Sequence, residues 1–507
     1  MTGHAIACGH PVTAEAADQI LRAGGTAVDA AVGASLAATV AEPVLAGLFG
    51  GGFLLVHPAG RRAEVLDFFV HTPSVKRPEG EVDHRAIEVD FESTTQTFHV
   101  GTGTLAVPGV APGLAEAHAR FGRMPLRDLA APAIAAARDG VEITDFQARL
   151  GRIVQAVLTD TQAVRALYCE DEDGTAVPRS AGTMQRNPDL AEVLEVFAAE
   201  GPRLMTEGEV AALLVEMARE GGHLTSADLA AYRPEWRAPL ITHRAGVEIV
   251  ANPPPALGGA LTLFALDLLG PSPGSLDMAL AFEATLSARA ESGIDADPIA
   301  GSARLALTET VAHYRAMVAR KAAALKGTTQ ISIMDRDGMG ASVTLSNGTG
   351  AGLVVPGTGI LPNNMLGEED LLPAGGWTPN RRLSSMMSPV SVAWPDGGRA
   401  MLGSGGSNRI RTALAQVLVR MIDDAARLEK AIEAPRLHVD AGDPVAVDFE
   451  DLMGEAAHVA LLDAFPQARA WPDLSMFFGG VHAVRRDANG SRDAVGDPRR
   501  AGVALLS

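Results

Sequence analysis

Two short alternating runs flank an Asp-Gly pair in Thr328-Thr329-Gln330-Ile331-Ser332-Ile333-Met334-Asp335-Arg336-Asp337-Gly338 and Ala341-Ser342-Val343-Thr344-Leu345-Ser346-Asn347. Ile331 and Ile333 alternate with Gln330, Ser332 and Met334; Val343 and Leu345 alternate with Ser342, Thr344 and Ser346. Period-two patterning about Asp-Gly marks an antiparallel hairpin. With Asp337-Gly338 as a two-residue loop, residue 336 faces 339, and the same register carries Thr328 opposite Asn347, with Ser346 its neighbour. A one-residue slip exchanges the two. Either way, a threonine that opens a strand stands beside a hydroxyl and an amide, which makes it a candidate nucleophile.

The rest of the chain supplies helices and strands in both halves. Residues 12–23 read as a helix with Thr13 as candidate N-cap and Gly24-Gly25 as its stop, and an Ala-rich helix follows over residues 26–40. Gly50-Gly51-Gly52 precedes an apolar strand at residues 53–56, with a partner at 65–70. No Lys-Ser/Thr follows these glycines, and loop-then-strand reverses the order of a phosphate cradle, so they point to crowded backbone. From 112 to 222 the pattern is mostly helical: Thr206 and Glu209 form a capping box for a helix at 210–219, and Thr225 and Asp228 start another. Pro253-Pro254-Pro255 and Gly258-Gly259 read as a loop leading into a helix at 261–269. Strand 390–394 and helix 409–424 follow the hairpin, and the mixture predicts an α+β architecture with helices covering sheets.

Bulk properties exclude several functions. With 47% hydrophobic and 20% charged residues over 507 positions, the chain is globular and large enough for several substructures. A formal net charge of −19 leaves no basic stripe for phosphates, so no nucleic-acid partner is expected. Cys8 and Cys169 make no disulfide framework, and the 13 His, His57 and His71 among them, form no metal-ligand pair and read as surface or loop residues. No metal and no cofactor is called for. Residues 30–56 are interrupted by Glu42-Pro43 and glycines, and Met1-Thr2-Gly3-His4-Ala5 starts no signal-like pattern; the expectation is a cytoplasmic protein without membrane contact.

Acyl-transfer chemistry needs a nucleophile, a base and oxyanion donors, and Thr328 with Gly405-Gly406 are the candidates. Around them stand Ala23-Gly24-Gly25-Thr26-Ala27-Val28-Asp29-Ala30-Ala31, Glu42-Pro43 with Gly50-Gly51-Gly52-Phe53, and Val107-Pro108-Gly109. The second half adds Thr328-Thr329, Pro356-Gly357-Thr358-Gly359-Ile360, Asn363-Asn364, Leu383-Ser384-Ser385-Met386, Gly405-Gly406-Ser407 and Asp497-Pro498-Arg499-Arg500. In this order the segments resemble the γ-glutamyltransferase family of N-terminal-nucleophile hydrolases. The resemblance spans nearly the whole chain and is weakest over 145–200 and 270–320.

The resemblance implies a four-layer αββα sandwich and a proenzyme that cuts itself between Gly327 and Thr328. Residues 1–327 would form a large subunit intertwined with a small catalytic subunit, 328–507, as a heterodimer of the chain's own fragments, with further dimerisation left open. Thr328 would be the nucleophile and its freed α-amine the base. Gly405 and Gly406 would hold the oxyanion, and Ser346, or Thr344 in a shifted register, would hydrogen-bond Thr328. Asn347, Ser384, Ser385 and Glu368 would bind a γ-glutamyl or related small amide such as a glutathione-like substrate, with water or an amine as acceptor.

One position departs from the pattern. Where the family carries Leu-Asp-Phe-Arg-Glu, with an Arg for the substrate carboxylate, this chain has Leu66-Asp67-Phe68-Phe69-Val70. Phe69 removes a charge-assisted pair worth roughly 1.5–3 kcal/mol, and Met365 replaces a polar residue after Asn363-Asn364. Arg381 or Arg382 is the candidate substitute charge. An acylase for a less polar acyl group is therefore the alternative within enzymes, and a non-processing ligand-binding relative the alternative outside them.

Overall fold

The computed structural model describes residues 3–90, 95–317, 328–368, 371–372, 375–441 and 446–507. The hairpin forms, but not about a two-residue loop. Thr329–Met334 pairs antiparallel with Gly340–Ser346, Met334 opposite Gly340 and Thr329 opposite Leu345. Asp335 organises the turn in place of Asp337-Gly338: its amide donates to the Met339 carbonyl (3.0 Å), and its carboxylate accepts from the amides of Asp337 and Met339 (2.9 Å each). The strands therefore adopt the slipped register, whose next step faces Thr328 with Ser346.

This hairpin is the centre of a seven-stranded antiparallel sheet. Its order is Glu235–Arg237, Glu64–Phe68, Gly51–His57, Gly340–Ser346, Thr329–Met334, Ala5–Cys8 and Val503–Leu506. A second antiparallel sheet runs Leu240–Arg244, Val247–Ala251, Val390–Ala393, Arg399–Gly405, Gly480–Arg486 and Arg492–Val495. The alternation in the hairpin separates two buried faces, not core from solvent. Ile331, Ile333, Val343 and Leu345 point outward into the core under the helices Pro11–Arg22, Ala27–Ala41, Val110–Phe121 and Leu126–Asp139. Gln330, Ser332, Ser342 and Thr344 face the second sheet and are fully buried. Their polar groups are satisfied across the interface, as buried groups must be: the Ser332 hydroxyl donates to the His482 carbonyl (2.9 Å), and that of Ser342 to the Leu402 carbonyl (3.0 Å). Helices Leu257–Leu268 and Arg409–Ile422 cover the other side of the second sheet. The result is the expected α+β sandwich, layered αββα.

Several local expectations shift for physical reasons. His10, not Thr13, caps the first helix, accepting the Val12 amide (3.1 Å), while Thr13 turns inward to donate to Glu42 (3.1 Å). Thr206 closes the short helix Arg203–Thr206, and the next one, Glu209–Met217, starts from Gly208 without a side-chain cap. Gly258-Gly259 lies inside a helix that begins at Leu257, because the backbone of Met386 crosses there: a Cβ at Gly258 would meet its carbonyl oxygen at 2.0 Å. His57 ends a strand and is buried, its Nδ1 2.7 Å from the Ser391 hydroxyl, and His71 is half-buried. Gly50 and Gly52 do mark crowding, since a Cβ would stand 2.3 Å from the Ser346 carbonyl oxygen and 2.6 Å from that of Thr344. No helix among the described residues is long and apolar enough to cross a membrane.

Candidate active site

Thr328 immediately precedes the strand Thr329–Met334 and is 4% exposed, at the wall of a cleft shared with Ser346, Phe69, Glu368, Ser385 and Ser407. Its backbone is anchored from two directions. The Arg500 guanidinium donates to the Thr328 carbonyl (3.1 Å), and the Thr329 hydroxyl, on the opposite face of the strand, donates to the Glu42 carboxylate (2.7 Å). Burial pushes the Glu42 carboxyl above the ordinary carboxylate range, against the hydroxyls of Thr329 and Thr13 and the charge of Arg500. Burial also lowers Arg500 to about 10, with Asp497 and Glu42 opposing. Gly327 lies outside the described residues.

The glycine pair arrives from the second sheet. Gly405 ends the strand Arg399–Gly405 against Thr328, so closely that a Cβ there would stand 2.1 Å from the Thr328 carbonyl oxygen. The chain then turns through Gly406 (φ 124°) and Ser407 (φ 48°) into the helix Arg409–Ile422. Positive φ at a non-glycine residue costs energy and clusters at functional sites. The amides of Gly406 and Ser407 have no hydrogen-bond partner among the described residues. Two donors at a helix N-terminus form a ready site for negative charge.

The structure divides the other expected residues. Ser346 lines the cleft, and its hydroxyl accepts the Gly348 amide (3.0 Å). Thr344, the alternative, donates instead to Gln330 (2.6 Å) between the sheets. Asn347 is not in the cleft. One residue past Ser346 the strand turns its side chain away, so that Nδ2 donates to the Leu361 carbonyl (3.1 Å) and Oδ1 faces Gly47. Ser385 lines the cleft, its carbonyl gripped by the amides of Leu257 (2.8 Å) and Gly258 (3.2 Å), whereas Ser384 stands outside the wall. Glu368 is the only charged side chain among the described lining residues, beside Gly348, where a Cβ would lie 2.7 Å from its carboxylate.

Phe69 stacks on Phe53 (centroids 5.6 Å apart) and closes one wall with Leu371, Met386, Met387 and Ile410. Met365 is in the core and not in this wall. Neither candidate arginine supplies a substitute charge. Arg381 is exposed, and Arg382 lies behind Phe69, where it donates to the Phe69 carbonyl (2.6 Å) and the Arg233 carbonyl (2.7 Å) and pairs with Glu235 (3.2 Å). The Tyr232 hydroxyl donates to the same Phe69 carbonyl (2.8 Å). Glu42, Arg500 and Ser407 carry no site signal of their own in the sequence beyond membership of recurring segments. Leu371 and Ile410 carry none at all, because only the tertiary fold brings them to the cleft.

A four-layer sandwich that places a threonine at the head of its central strand, against a glycine turn, is the architecture of the N-terminal-nucleophile hydrolases. The family model described as Gamma-glutamyltranspeptidase matches residues 13–507, and the chain belongs to that family. The acylase ACY 1 proenzyme of Pseudomonas sp. (strain SE83) is 31% identical over 511 residues, covering 95% of this chain and 89% of that protein. The glutathione hydrolase proenzyme of Pseudomonas aeruginosa is 29% identical over 550 residues, covering 100% and 95%. The cephalosporin acylase from Bacillus halodurans shares the fold, with a TM-score of 0.85 over 99% of this chain and 96% of that one, at 24% identity.

Proposed function

We propose that this γ-glutamyltransferase-like enzyme is made as a proenzyme, cuts itself before Thr328, and then cleaves small amides through an acyl ester on the Thr328 hydroxyl. The observation that carries this is the meeting of Thr328 and Ser346 in one cleft with the Gly405–Ser407 turn pressed against Thr328 itself. In the first cut, the Thr328 hydroxyl attacks the Gly327 carbonyl, the acyl group moves from nitrogen to oxygen, and water hydrolyses the ester. The large fragment leaves with a carboxylate, and Thr328 gains an α-amine with an ordinary pKa of about 7.7–8. That amine takes the hydroxyl proton as Thr328 attacks a substrate amide, then passes it to the departing nitrogen. The amides of the Gly406 turn stabilise the oxyanion, a donor typically worth about 2.7–4 kcal/mol. Water or an amine then releases the acyl group.

Phe69 favours an acyl group less polar than glutamyl. A γ-glutamyl group would bring its α-carboxylate to a cleft whose described lining residues hold no cation, and a buried unpaired charge is costly. Glu368 remains placed to meet an ammonium. Relatives of both kinds, acylase and glutathione hydrolase, are at similar distance from the chain.

A gel and one variant test the core of this reading. Wild type is expected to run as two fragments matching a cut before Thr328, and Thr328→Ala as one inactive full-length band. A wild-type protein that never processes, or an active Thr328→Ala, would overturn the assignment, the former pointing to a ligand-binding relative.

A further inference from the structure

A second cavity backs onto the nucleophile strand and has no part in the reaction proposed above. It is a mostly apolar chamber with an open mouth. Its near wall includes Glu42, the carboxylate that holds Thr329. Its far wall comes from residues 141–185.

The lining is mostly aliphatic and aromatic, with Leu45, Phe146, Leu150 and Leu158 as its body. Most of its polar groups are already satisfied. His10 Nε2 lies 3.2 Å from Gln147 Oε1, His10 Nδ1 accepts the Val12 amide (3.1 Å), and the Gln147 amide group donates to the Ala41 carbonyl. Both Glu42 oxygens accept hydroxyls. Two groups differ. Tyr168 is 7% exposed, and its hydroxyl has no hydrogen-bond partner among the described residues. Arg179 is half-buried; its Nε reaches the Leu167 carbonyl (3.5 Å), and its terminal nitrogens have no partner among the described residues. The Arg179 amide donates to the Tyr168 carbonyl (3.1 Å), so the two residues adjoin along the backbone, and both line the chamber. Glu170 is close enough to feel Arg179, but its Oε1 is taken by the Ser180 hydroxyl (2.6 Å) and amide (3.0 Å).

We infer that this chamber binds a small monocarboxylate with an apolar tail, the tail between Phe146, Leu150 and Leu158 and the carboxylate at the Arg179 guanidinium and the Tyr168 hydroxyl. An apolar body with a few polar groups is the usual composition of a ligand site, and guanidinium is the cation best matched to a carboxylate. Charge complementarity excludes a cationic head group, and the aliphatic walls exclude a sugar or nucleotide. The site stands whether or not Thr328 is the nucleophile.

Calorimetric titration with octanoate tests the inference, with octylamine as the head-group control. Saturable one-to-one binding of octanoate is expected, at least tenfold weaker in Arg179→Gln, several-fold weaker in Tyr168→Phe and lost in Leu150→Trp. Octylamine is expected not to bind, and Thr328→Ala to bind octanoate as wild type does. Arg179 sits at the rim, so its variant is expected to melt like wild type and remains informative if Leu150→Trp fails to fold. Absent octanoate binding, binding indifferent to Arg179→Gln, or octylamine binding equally well would each overturn the inference. Loss of binding in Thr328→Ala would place the ligand in the catalytic cleft and overturn it as well.

Discussion

At the scale of single residues, the proposed preference for a less polar acyl group rests on position 69. Phe69 is held from behind, because two donors, Arg382 and Tyr232, fix its carbonyl while its ring stacks on Phe53 and closes the wall. Phe69→Arg would return a cation to a wall otherwise occupied by Leu371, Met386, Met387 and Ile410. Its expected effect is to raise kcat/KM for a γ-glutamyl anilide relative to a neutral acyl anilide by about ten- to a hundredfold, the equivalent of a charge-assisted pair of roughly 1.5–3 kcal/mol. The ratio of the two substrates is unaffected by how much of the variant folds; a ratio equal to that of wild type would contradict the role assigned to Phe69. The substitution itself was visible in Leu66-Asp67-Phe68-Phe69-Val70. That no neighbouring arginine replaces the lost charge was not, because Arg382 is adjacent in space and differs only in which side of the Phe69 backbone it occupies.

At the scale of elements, the site depends on the register of three central strands. Gly51–His57, Gly340–Ser346 and Thr329–Met334 lie side by side, with Gly52 opposite Leu345 and Thr329 opposite Leu345 on the other side. A methyl group on Gly52 would press within 2.6 Å of the Thr344 carbonyl and 2.7 Å of the Phe68 ring. Gly52→Ala is expected to destabilise the protein by about 1–3 kcal/mol, the usual cost of overpacking, and to slow self-cleavage by displacing Ser346 relative to Thr328. Urea titration of the purified protein and a time course on gels measure the two effects; wild-type values for both would contradict the crowding assigned to Gly52. The hairpin was legible from its alternation, while its register was not. Asp337-Gly338 offered one turn, and Asp335 imposed another with side-chain hydrogen bonds that a pattern of apolar positions does not encode.

At the scale of the whole molecule, acid is expected to weaken the fold. Burial lowers His10, His57, His438 and His482 to about 4, against an unfolded value of about 6.5. Between these values the unfolded chain binds protons that the folded chain refuses, so stability is complete above pH ~6.5 and is lost progressively as pH falls towards ~4. Each such histidine contributes roughly 1–3 kcal/mol to that loss. Asp497 acts in the same direction at lower pH. Burial would raise its pKa, but Arg436 and Arg499 hold it below the usual carboxylate range, and its contribution disappears only as pH falls through that depressed value. Urea midpoints are expected to fall clearly from pH 7 to pH 4.5; a flat profile would mean that these histidines are not buried as neutral rings.

Sequence alone determined the fold class and the family, and it singled out Thr328, Ser346 and the glycine pair that the fold brings together, because each rests on local chemistry: alternation, turn-forming glycines and ordered short segments. Tertiary structure decided which face each residue shows. It turned Asn347 away one step after Ser346, set Ser385 but not Ser384 in the wall, and brought Glu42 to the Thr329 hydroxyl and Arg500 to the Thr328 carbonyl. It also buried the polar face of the hairpin between two sheets, where a period-two pattern by itself implies solvent. The physical reason is the same in each case. A strand's side chains reverse direction at every residue, so a one-residue register change, set by a carboxylate in the turn or a packed carbonyl, reassigns the site while leaving the sequence pattern untouched.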